Sequence, residues 1–296
     1  MSDPAQALKN LTRSREFLVG IDSDGCAFDT MEIKHKECFI PNIINSWSLQ
    51  AISKYVRETA EFVNLYSKWR GLNRFPALIK VFDLLAEREE VKNRGLKLPE
   101  LTSLRNWVET ETKLGNPALE KKVQATGDPI LKTTLEWTIA VNQAIADLVH
   151  GVPPYPYVRE SLAKVQTDAQ VIVVSQTPNE ALEREWAEHD LVKYLKVIAG
   201  QEMGAKAECL GYAKAAGEYQ DDHVLMIGDA PGDLKAAKVN RALFYPINPG
   251  AEERSWKRFY GEAFDKFING GYQGEYEAKL IAEFEAYLPS TPPWRR

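Results

Sequence analysis

The sequence predicts an α/β protein, in which a doubly wound, Rossmann-like parallel sheet is joined to a mostly α-helical second domain. Apolar runs rich in β-branched residues are typical of buried parallel strands, and three occur, at 17–21, 171–174 and 224–227. After residue 153, such runs alternate with stretches of helical periodicity, which is the order of elements in a parallel sheet. Between 34 and 152, by contrast, the apolar residues recur mainly at helical spacing.

The first strand, 17–21, leads directly into the long helical segment. Within that segment we predict helices at 45–68, 75–86, 99–113 and 130–149. A cluster of glycine and prolines at 151–156 breaks the periodicity and marks the best domain boundary in the chain. We therefore predict one domain formed by 1–33 together with 153–296, and a helical domain at 34–152.

The elements after the boundary follow the alternating order of a parallel sheet. Strands are predicted at 171–174, 197–199, 224–227 and 242–245. Helices are predicted at 157–165, 179–189, 206–217, 233–239 and 275–287. The proline-rich end, 288–296, is expected to be loose. The order of the strands across the sheet does not follow from the sequence.

Composition excludes several classes of function. The chain has 296 residues and a net charge of −5, so it lacks the excess of positive charge that is typical of nucleic-acid-binding proteins. Its 44% hydrophobic and 27% charged residues are ordinary for a soluble globular protein. The three cysteines have no metal-type spacing, and residues 1–16 lack the apolar core of a signal peptide. We expect a cytoplasmic protein, monomeric or homodimeric, with no membrane or nucleic-acid partner.

Four short motifs fall in order along the chain, three of them directly behind predicted strands. They are Asp22-Ser23-Asp24-Gly25, then Ser175, then Lys206, then Gly228-Asp229-Ala230-Pro231-Gly232-Asp233. In open α/β sheets, ligands bind just beyond the carboxyl ends of the strands. The sequence therefore predicts a single acidic site at that edge of the sheet.

In order and rough spacing, these motifs resemble those of the haloacid dehalogenase superfamily, most of whose members are magnesium-dependent phosphatases. The resemblance covers 16–30 and about 155–250, and it is closest to the β-phosphoglucomutase and phosphatase-like members. Members of this family often carry a helical cap inserted just after the first motif, which is the position of 34–152. The insert here is longer than a simple four-helix cap needs.

The resemblance implies chemistry at two aspartates. Asp22 is the expected nucleophile, since a carboxylate can split phosphate ester hydrolysis into formation and breakdown of an aspartyl-phosphate. Asp24 lies two residues on, so in extended backbone it faces the same side as Asp22 and can act as general acid and base. Dehalogenase members lack this second aspartate. Its presence favours phosphate ester hydrolysis or phosphoryl transfer.

The same resemblance implies a Mg²⁺ ion and a phosphate-binding pair. Asp22, Asp24 and Asp229 are the expected metal ligands, and Asp233 is expected to orient Asp229 or a metal-bound water. Ser175 and Lys206 are expected to bind the phosphoryl group. Alternatives from the residues alone are helix N-caps for Ser175 and Asp233, and Lys214 in place of Lys206.

Three residues of the insert are weaker candidates for substrate binding. Arg70 and Arg74 lie in a stretch, 68–74, that resembles the specificity loop of β-phosphoglucomutase-like caps, where they can bind a second anionic group. His35 lies where related proteins place a histidine near the cap hinge. The alternatives are a solvated basic stretch between helices and a linker histidine without a role.

We therefore predict a Mg²⁺-dependent phosphatase that hydrolyses a small phosphorylated metabolite through an aspartyl-phosphate. One alternative is a phosphomutase of the β-phosphoglucomutase type, which shares all four motifs. Another is a non-catalytic phosphometabolite-binding protein on the same scaffold. Such proteins usually lose a catalytic carboxylate, whereas the acidic residues of the first and fourth motifs are all present here.

Overall fold

A computed structural model describes residues 3–295. The chain forms two compact units. The first, here called the core unit, comprises the residues up to Thr30 together with Gly151–Leu288. The second, the helical unit, comprises Met31–His150 together with the residues from Pro289 onward. Within 3–295, no helix is both long enough and apolar enough to cross a bilayer.

The core unit is built on a five-stranded parallel sheet, so the predicted α/β fold class is confirmed. The strands are β1 (Phe17–Ile21), β2 (Ala169–Val174), β3 (Val197–Ala199), β4 (Val224–Gly228) and β5 (Leu243–Pro246). Their order is β3-β2-β1-β4-β5. Ile21 lies opposite both Val173 and Ile227, so the carboxyl ends of β1, β2 and β4 are adjacent.

Helices cover both faces of this sheet, as a doubly wound fold requires. Side chains alternate along β1, so Val19 and Ile21 enter one apolar layer while Leu18 enters the other. The α-helices of the core unit are Gln6–Lys9, Val158–Val165, Asn179–Glu188, Lys206–Ala216, Pro231–Val239, Glu252–Arg258, Phe264–Ile268 and Glu275–Tyr287. Single π or 3₁₀ turns are Phe259–Ala263, Val192–Tyr194, Gln201–Met203 and Asp221–His223.

The helical unit packs around its own apolar core. Its α-helices are Thr30–Ile33, which begins on the last residue of the core unit, then Ile40–Ser46, Ser53–Asn64, Arg74–Glu87, Glu89–Lys92, Thr102–Thr110, Asn116–Thr126 and Pro129–Leu148. Its π and 3₁₀ turns are Lys34–Phe39, Gln50–Ile52 and Pro293–Arg295. The helix predicted at 45–68 is interrupted near Ser48, whose φ of 52° is left-handed and ends the regular helix.

The end of the chain differs from the sequence-based expectation. We predicted that 288–296 is loose and belongs with the sheet domain, but residues 289–295 group with the helical unit, and Arg296 lies outside the described residues. The ring of Trp294 lies 4.4 Å from the Arg88 guanidinium and meets Phe62 edge-on at 5.5 Å between ring centroids. These contacts join residues distant in sequence, so a proline-rich composition gives no sign of them.

We expect Trp294→Ala to loosen the helical unit, because it removes both the cation–π contact and the packing on Phe62. The expected loss is about 1–3 kcal/mol. Hydrogen exchange should then accelerate in the helices Ser53–Asn64 and Arg74–Glu87, while the strands of the core unit stay protected. Trp294→Phe keeps an aromatic ring and should show a smaller effect. Unchanged exchange in Trp294→Ala would mean that the contact contributes nothing.

Candidate active site

The candidate site lies at the carboxyl edge of the sheet, where three strands end side by side. Asp22 follows β1, Ser175 follows β2 and Asp229 follows β4. Backbone hydrogen bonds continue past the strand ends and fix these positions. The Asp22 N–H donates to the Ile227 carbonyl at 3.0 Å, and the Ser175 N–H donates to the Ala199 carbonyl at 2.9 Å.

Three carboxylates meet at this edge. Asp22, Asp229 and Asp233 each place one oxygen within 4.8 Å of the others, and their side chains are buried. Gly228 makes the approach possible, since a Cβ there would lie 2.3 Å from the Cβ of Asp233. The fourth motif thus needs glycine at position 228, because any larger residue would collide with Asp233. This glycine lets Asp233 fold back against the strand that carries Asp229.

Lys206 is the cation within this acidic cluster. Its Nζ donates to Asp22 Oδ2 at 2.5 Å and to Asp233 Oδ1 at 2.7 Å. Burial opposes the charge of the ammonium, but the carboxylates of Asp22, Asp233 and Asp229 outweigh it and raise the pKa of Lys206. Lys214, the alternative from the sequence, instead contacts Asp221 and donates to the Asn240 carbonyl.

Negative charge in the cluster exceeds what one lysine neutralises. Burial raises the pKa of Asp22 to about 6 even though Lys206 acts in the opposite direction, and burial also raises the pKa of Asp233. A divalent cation would remove this cost. Three clustered carboxylate oxygens are ligands that suit Mg²⁺, so the residues present fit the ion.

Asp233 already uses both of its carboxylate oxygens. Oδ1 accepts from Lys206, and Oδ2 accepts from the Ala230 N–H at 3.0 Å. Ala230 is the N-cap of the helix Pro231–Val239, so Asp233 lies inside the first turn and is not itself the cap. This arrangement suits the predicted supporting role of Asp233, with Asp22 and Asp229 holding the ion, and both assignments remain predictions.

Asp24 is held by two threonine hydroxyls. Thr177 Oγ1 donates to Asp24 Oδ2 at 2.6 Å, and Thr30 Oγ1 donates to Oδ1. The carboxylate cluster found among the described residues does not include Asp24. Its predicted part in metal binding therefore stays a prediction. The geometry bears more directly on proton transfer, because it fixes both oxygens of this carboxylate.

Ser23, between the two aspartates, anchors their loop to a neighbouring helix. Its Oγ accepts from the indole N–H of Trp186 at 2.9 Å and donates to the Glu185 carboxylate at 2.8 Å. Its carbonyl accepts from the backbone N–H groups of Ala27 and Phe28. The loop is thus preorganised, which keeps Asp22 and Asp24 in fixed positions.

Ser175 is buried, and its Oγ accepts from the Thr177 N–H at 3.3 Å. The following helix, Asn179–Glu188, has Pro178 at its N-cap. Ser175 is therefore not the cap of that helix. It remains available for its predicted role as a phosphate-binding residue.

The three candidates in the helical unit have different surroundings. Arg70 is buried, and its Nη1 donates to the Leu65 carbonyl at 2.9 Å, at the end of the helix Ser53–Asn64. Arg74 Nη1 donates to Thr138 and Asn142, both at 2.7 Å. Its guanidinium and the His35 ring both lie against the ring of Phe39, at 5.1 and 4.6 Å from its centroid. Arg74 and His35 thus share Phe39 as a packing partner, whereas Arg70 supports a helix end.

Arg74 also has an unusual charge environment. Burial lowers the pKa of its guanidinium to about 10, and within residues 3–295 no carboxylate pairs with it. Arg74 is half-buried, and a partly desolvated cation without an acidic partner gains a favourable charge interaction when an anion binds beside it. Of the three candidates, Arg74 is the one whose surroundings suit an anionic ligand.

Sequence reasoning missed Thr30 and Thr177, whose hydroxyls donate to Asp24. Both are ordinary hydroxyl residues in loops or at a helix start, and neither belongs to the four motifs. A possible signal was the position of Thr177, two residues after Ser175 at a strand end. In extended backbone, that spacing places both side chains on one side.

We expect Lys206→Met to destabilise the protein in chelator by about 3–5 kcal/mol, because it leaves buried carboxylates without their cation. Turnover of any phosphate ester should also fall sharply. Lys214→Met on the same helix is the matched control, since Asp221 is half-exposed and tolerates the loss. Urea unfolding measures the difference. Equal losses in the two variants would contradict a special role for Lys206.

Comparison with known families agrees with the motif order. The sequence profile described as haloacid dehalogenase-like hydrolase matches residues 72–242, more than half of the chain. This stretch includes Ser175, Lys206, Asp229 and Asp233 and begins after Asp22 and Asp24. No curated protein matches the chain.

Several solved structures resemble this one. A haloacid dehalogenase-like hydrolase family protein from Streptococcus pneumoniae has 14% identity and a TM-score of 0.42, with 90% of this chain and 98% of that chain covered. A structure described as a predicted phosphoglycolate phosphatase from Haemophilus somnus 129pt has 13% identity and a TM-score of 0.46, covering 79% and 86%. One described as a predicted phosphatase from Clostridium acetobutylicum has 14% identity and a TM-score of 0.41, covering 79% and 85%.

Proposed function

Because this chain belongs to the haloacid dehalogenase-like hydrolase family, we propose that it is a Mg²⁺-dependent phosphatase acting on a small phosphorylated metabolite. The observation that carries the proposal is the buried cluster of Asp22, Lys206, Asp229 and Asp233. It combines a carboxylate nucleophile, a fixed cation and carboxylate ligands for a metal at one sheet edge. Phosphoryl transfer through an aspartyl-phosphate uses all three.

In the first step of the proposed reaction, Asp22 attacks phosphorus and the bond from phosphorus to the ester oxygen breaks. Asp24 donates a proton to that leaving oxygen, which avoids release of an alkoxide. Lys206 and Ser175 bind the oxygens of the transferred group and stabilise its charge. A bound Mg²⁺ ion supplies further charge neutralisation and orients the phosphate.

In the second step, Asp24 takes a proton from a water molecule, which then attacks the aspartyl-phosphate on Asp22. The bond from phosphorus to the aspartate oxygen breaks, inorganic phosphate leaves and Asp22 is restored. Asp24 thus returns to its protonated state and is ready for the next ester. The buried surroundings of Asp22 keep bulk water away from the reacting group.

The direct test is release of inorganic phosphate from an aryl phosphate and from a panel of phosphorylated metabolites. A phosphatase releases phosphate from at least one of them with multiple turnovers. A phosphomutase would instead convert a sugar phosphate into its isomer without free phosphate. Binding of a metabolite without any turnover would favour the non-catalytic alternative and refute the proposal.

Arg74 is proposed to bind a second anionic group of the substrate, such as a carboxylate or another phosphate. We expect Arg74→Ala to lower kcat/KM for such a substrate by about 10- to 150-fold, the effect of one charge-assisted contact. An aryl phosphate without that group should be affected little. Arg105→Ala, which breaks an exposed pair with Asp83, is the matched control. Equal losses on both substrates would argue against a binding role.

A further inference from the structure

Thr177 connects the end of β2 to the carboxylate that is proposed to transfer protons. Its hydroxyl donates to Asp24 Oδ2 at 2.6 Å, while Thr30 donates to Oδ1 from a different segment of the chain. We propose that Thr177 is a positioning residue that aims Asp24 at the leaving oxygen. The inference rests on the proposed phosphatase function and adds to it a residue outside the four motifs.

The backbone of Thr177 is held firmly enough to position another residue. Its carbonyl accepts from the Gln201 N–H at 3.0 Å, and its N–H donates to Ser175 Oγ at 3.3 Å. Gly200 allows this close approach, because a Cβ there would lie 2.7 Å from the Thr177 carbonyl oxygen. The hydroxyl of Thr177 therefore starts from a backbone that the neighbouring loop has already fixed.

The next residues extend this attachment. The Asn179 N–H donates to Glu202 at 3.0 Å, and Asn179 Oδ1 accepts from the Gly200 N–H at 2.9 Å. The loop after β2 and the loop after β3 are thus joined by hydrogen bonds on both sides of Thr177. Because its backbone is fixed in this way, the Thr177 side chain can hold the Asp24 carboxylate in one orientation.

A hydroxyl suits the chemistry expected of Asp24. It donates to a carboxylate and can accept from a carboxylic acid, so it remains a partner in both halves of the reaction. With donors on both oxygens, the plane of the Asp24 carboxyl group is fixed. Without Thr177, Oδ2 loses this hydrogen bond, and the orientation of the carboxyl group toward the leaving oxygen is less well fixed. A misplacement of about 1 Å can lower the rate of an enzyme by about 100-fold.

The test compares Thr177→Val with wild type on two esters of nearly the same shape, phenyl phosphate and p-nitrophenyl phosphate. Valine keeps the shape of threonine and removes the hydroxyl. We expect kcat/KM for phenyl phosphate, which reports only the steps up to release of phenol, to fall about 10- to 100-fold. The fall for p-nitrophenyl phosphate should be several-fold smaller, because nitrophenolate leaves with little help from an acid. Thr177→Ser should restore most of the lost rate.

Thr167→Val is the matched control, since the Thr167 hydroxyl also donates to an aspartate, Asp168, but before β2 begins, at the opposite edge of the sheet. It should leave both rates unchanged. If Thr177→Val does not fold, Thr177→Ala serves in the same comparison. Equal losses on the two esters, or no loss, in a folded variant would overturn the inference. Failure of wild type to hydrolyse either ester would instead refute the proposed function itself.

Discussion

Replacing Asp22 by asparagine is expected to abolish phosphate ester hydrolysis while the protein remains folded. Asparagine has the shape of aspartate but cannot act as the nucleophile, so kcat should fall by about 10⁴-fold or more. The fold should persist because Lys206 keeps Asp233 as its partner, and because burial already disfavours the charged form of Asp22. Steady-state phosphate release and a thermal melt measure the two parts of this expectation.

Two comparisons make the Asp22 result specific. Asp222→Asn, at an exposed carboxylate just before β4 and thus at the opposite sheet edge, should retain full activity. Asp24→Asn should also be severely impaired, but it can still form some phosphoenzyme when the leaving group is good. Acid-quenched enzyme should carry phosphate on Asp22. Beryllium fluoride should bind to Asp22 and mimic the aspartyl-phosphate. Covalent phosphate on another residue would contradict the assignment.

Removal of divalent metal is expected to eliminate turnover and to lower the thermal stability at once. Asp22, Asp229 and Asp233 bring their oxygens within 4.8 Å of one another, so a bound ion would relieve repulsion among buried carboxylates. A ligand that binds only the folded protein at 100 times its Kd stabilises it by about 2.7 kcal/mol. Excess Mg²⁺ should therefore raise Tm and restore activity in chelator-treated protein.

Asp229→Asn separates metal binding from general effects of salt. This variant should lose most of the Mg²⁺-dependent rise in Tm, while an equal ionic strength of NaCl should raise Tm in neither protein. The Tm readout does not depend on activity, so it tests the site even before a substrate is known. Full activity in chelator, with no bound metal detected, would defeat the expectation.

The sequence by itself determined the elements whose cause is local. Strands β1 and β3 begin and end at the predicted residues, because both are short apolar runs whose β-branched residues favour extended backbone. The helix Glu275–Tyr287 also matches its prediction. The motif order indicated the haloacid dehalogenase-like family, which the profile match confirms. The signals for these strands and this helix are local, and each motif is itself only a few residues long.

Some predictions went wrong where the local signal was weak. The helix predicted at 45–68 breaks near Ser48. The helix Asn116–Thr126 was not predicted, because Leu119 is the residue that it buries and one buried position gives little periodicity. Both lie in the helical unit, where many helices satisfy the same periodicity. The sequence indicates that such a region is helical but defines its individual helices poorly.

Only the tertiary structure decided the order of the strands, the partners of Asp24 and the attachment of Trp294. Thr177 and Asp24 are 153 residues apart, so the hydrogen bond between them depends on how distant segments of the chain pack together. The same holds for the distinction between Arg70, which supports a helix end, and Arg74, whose desolvated charge suits an anion. Local sequence specifies what a segment can form. Which distant groups it meets depends on how the whole chain packs, because burial and hydrogen bonding are satisfied only in the complete fold.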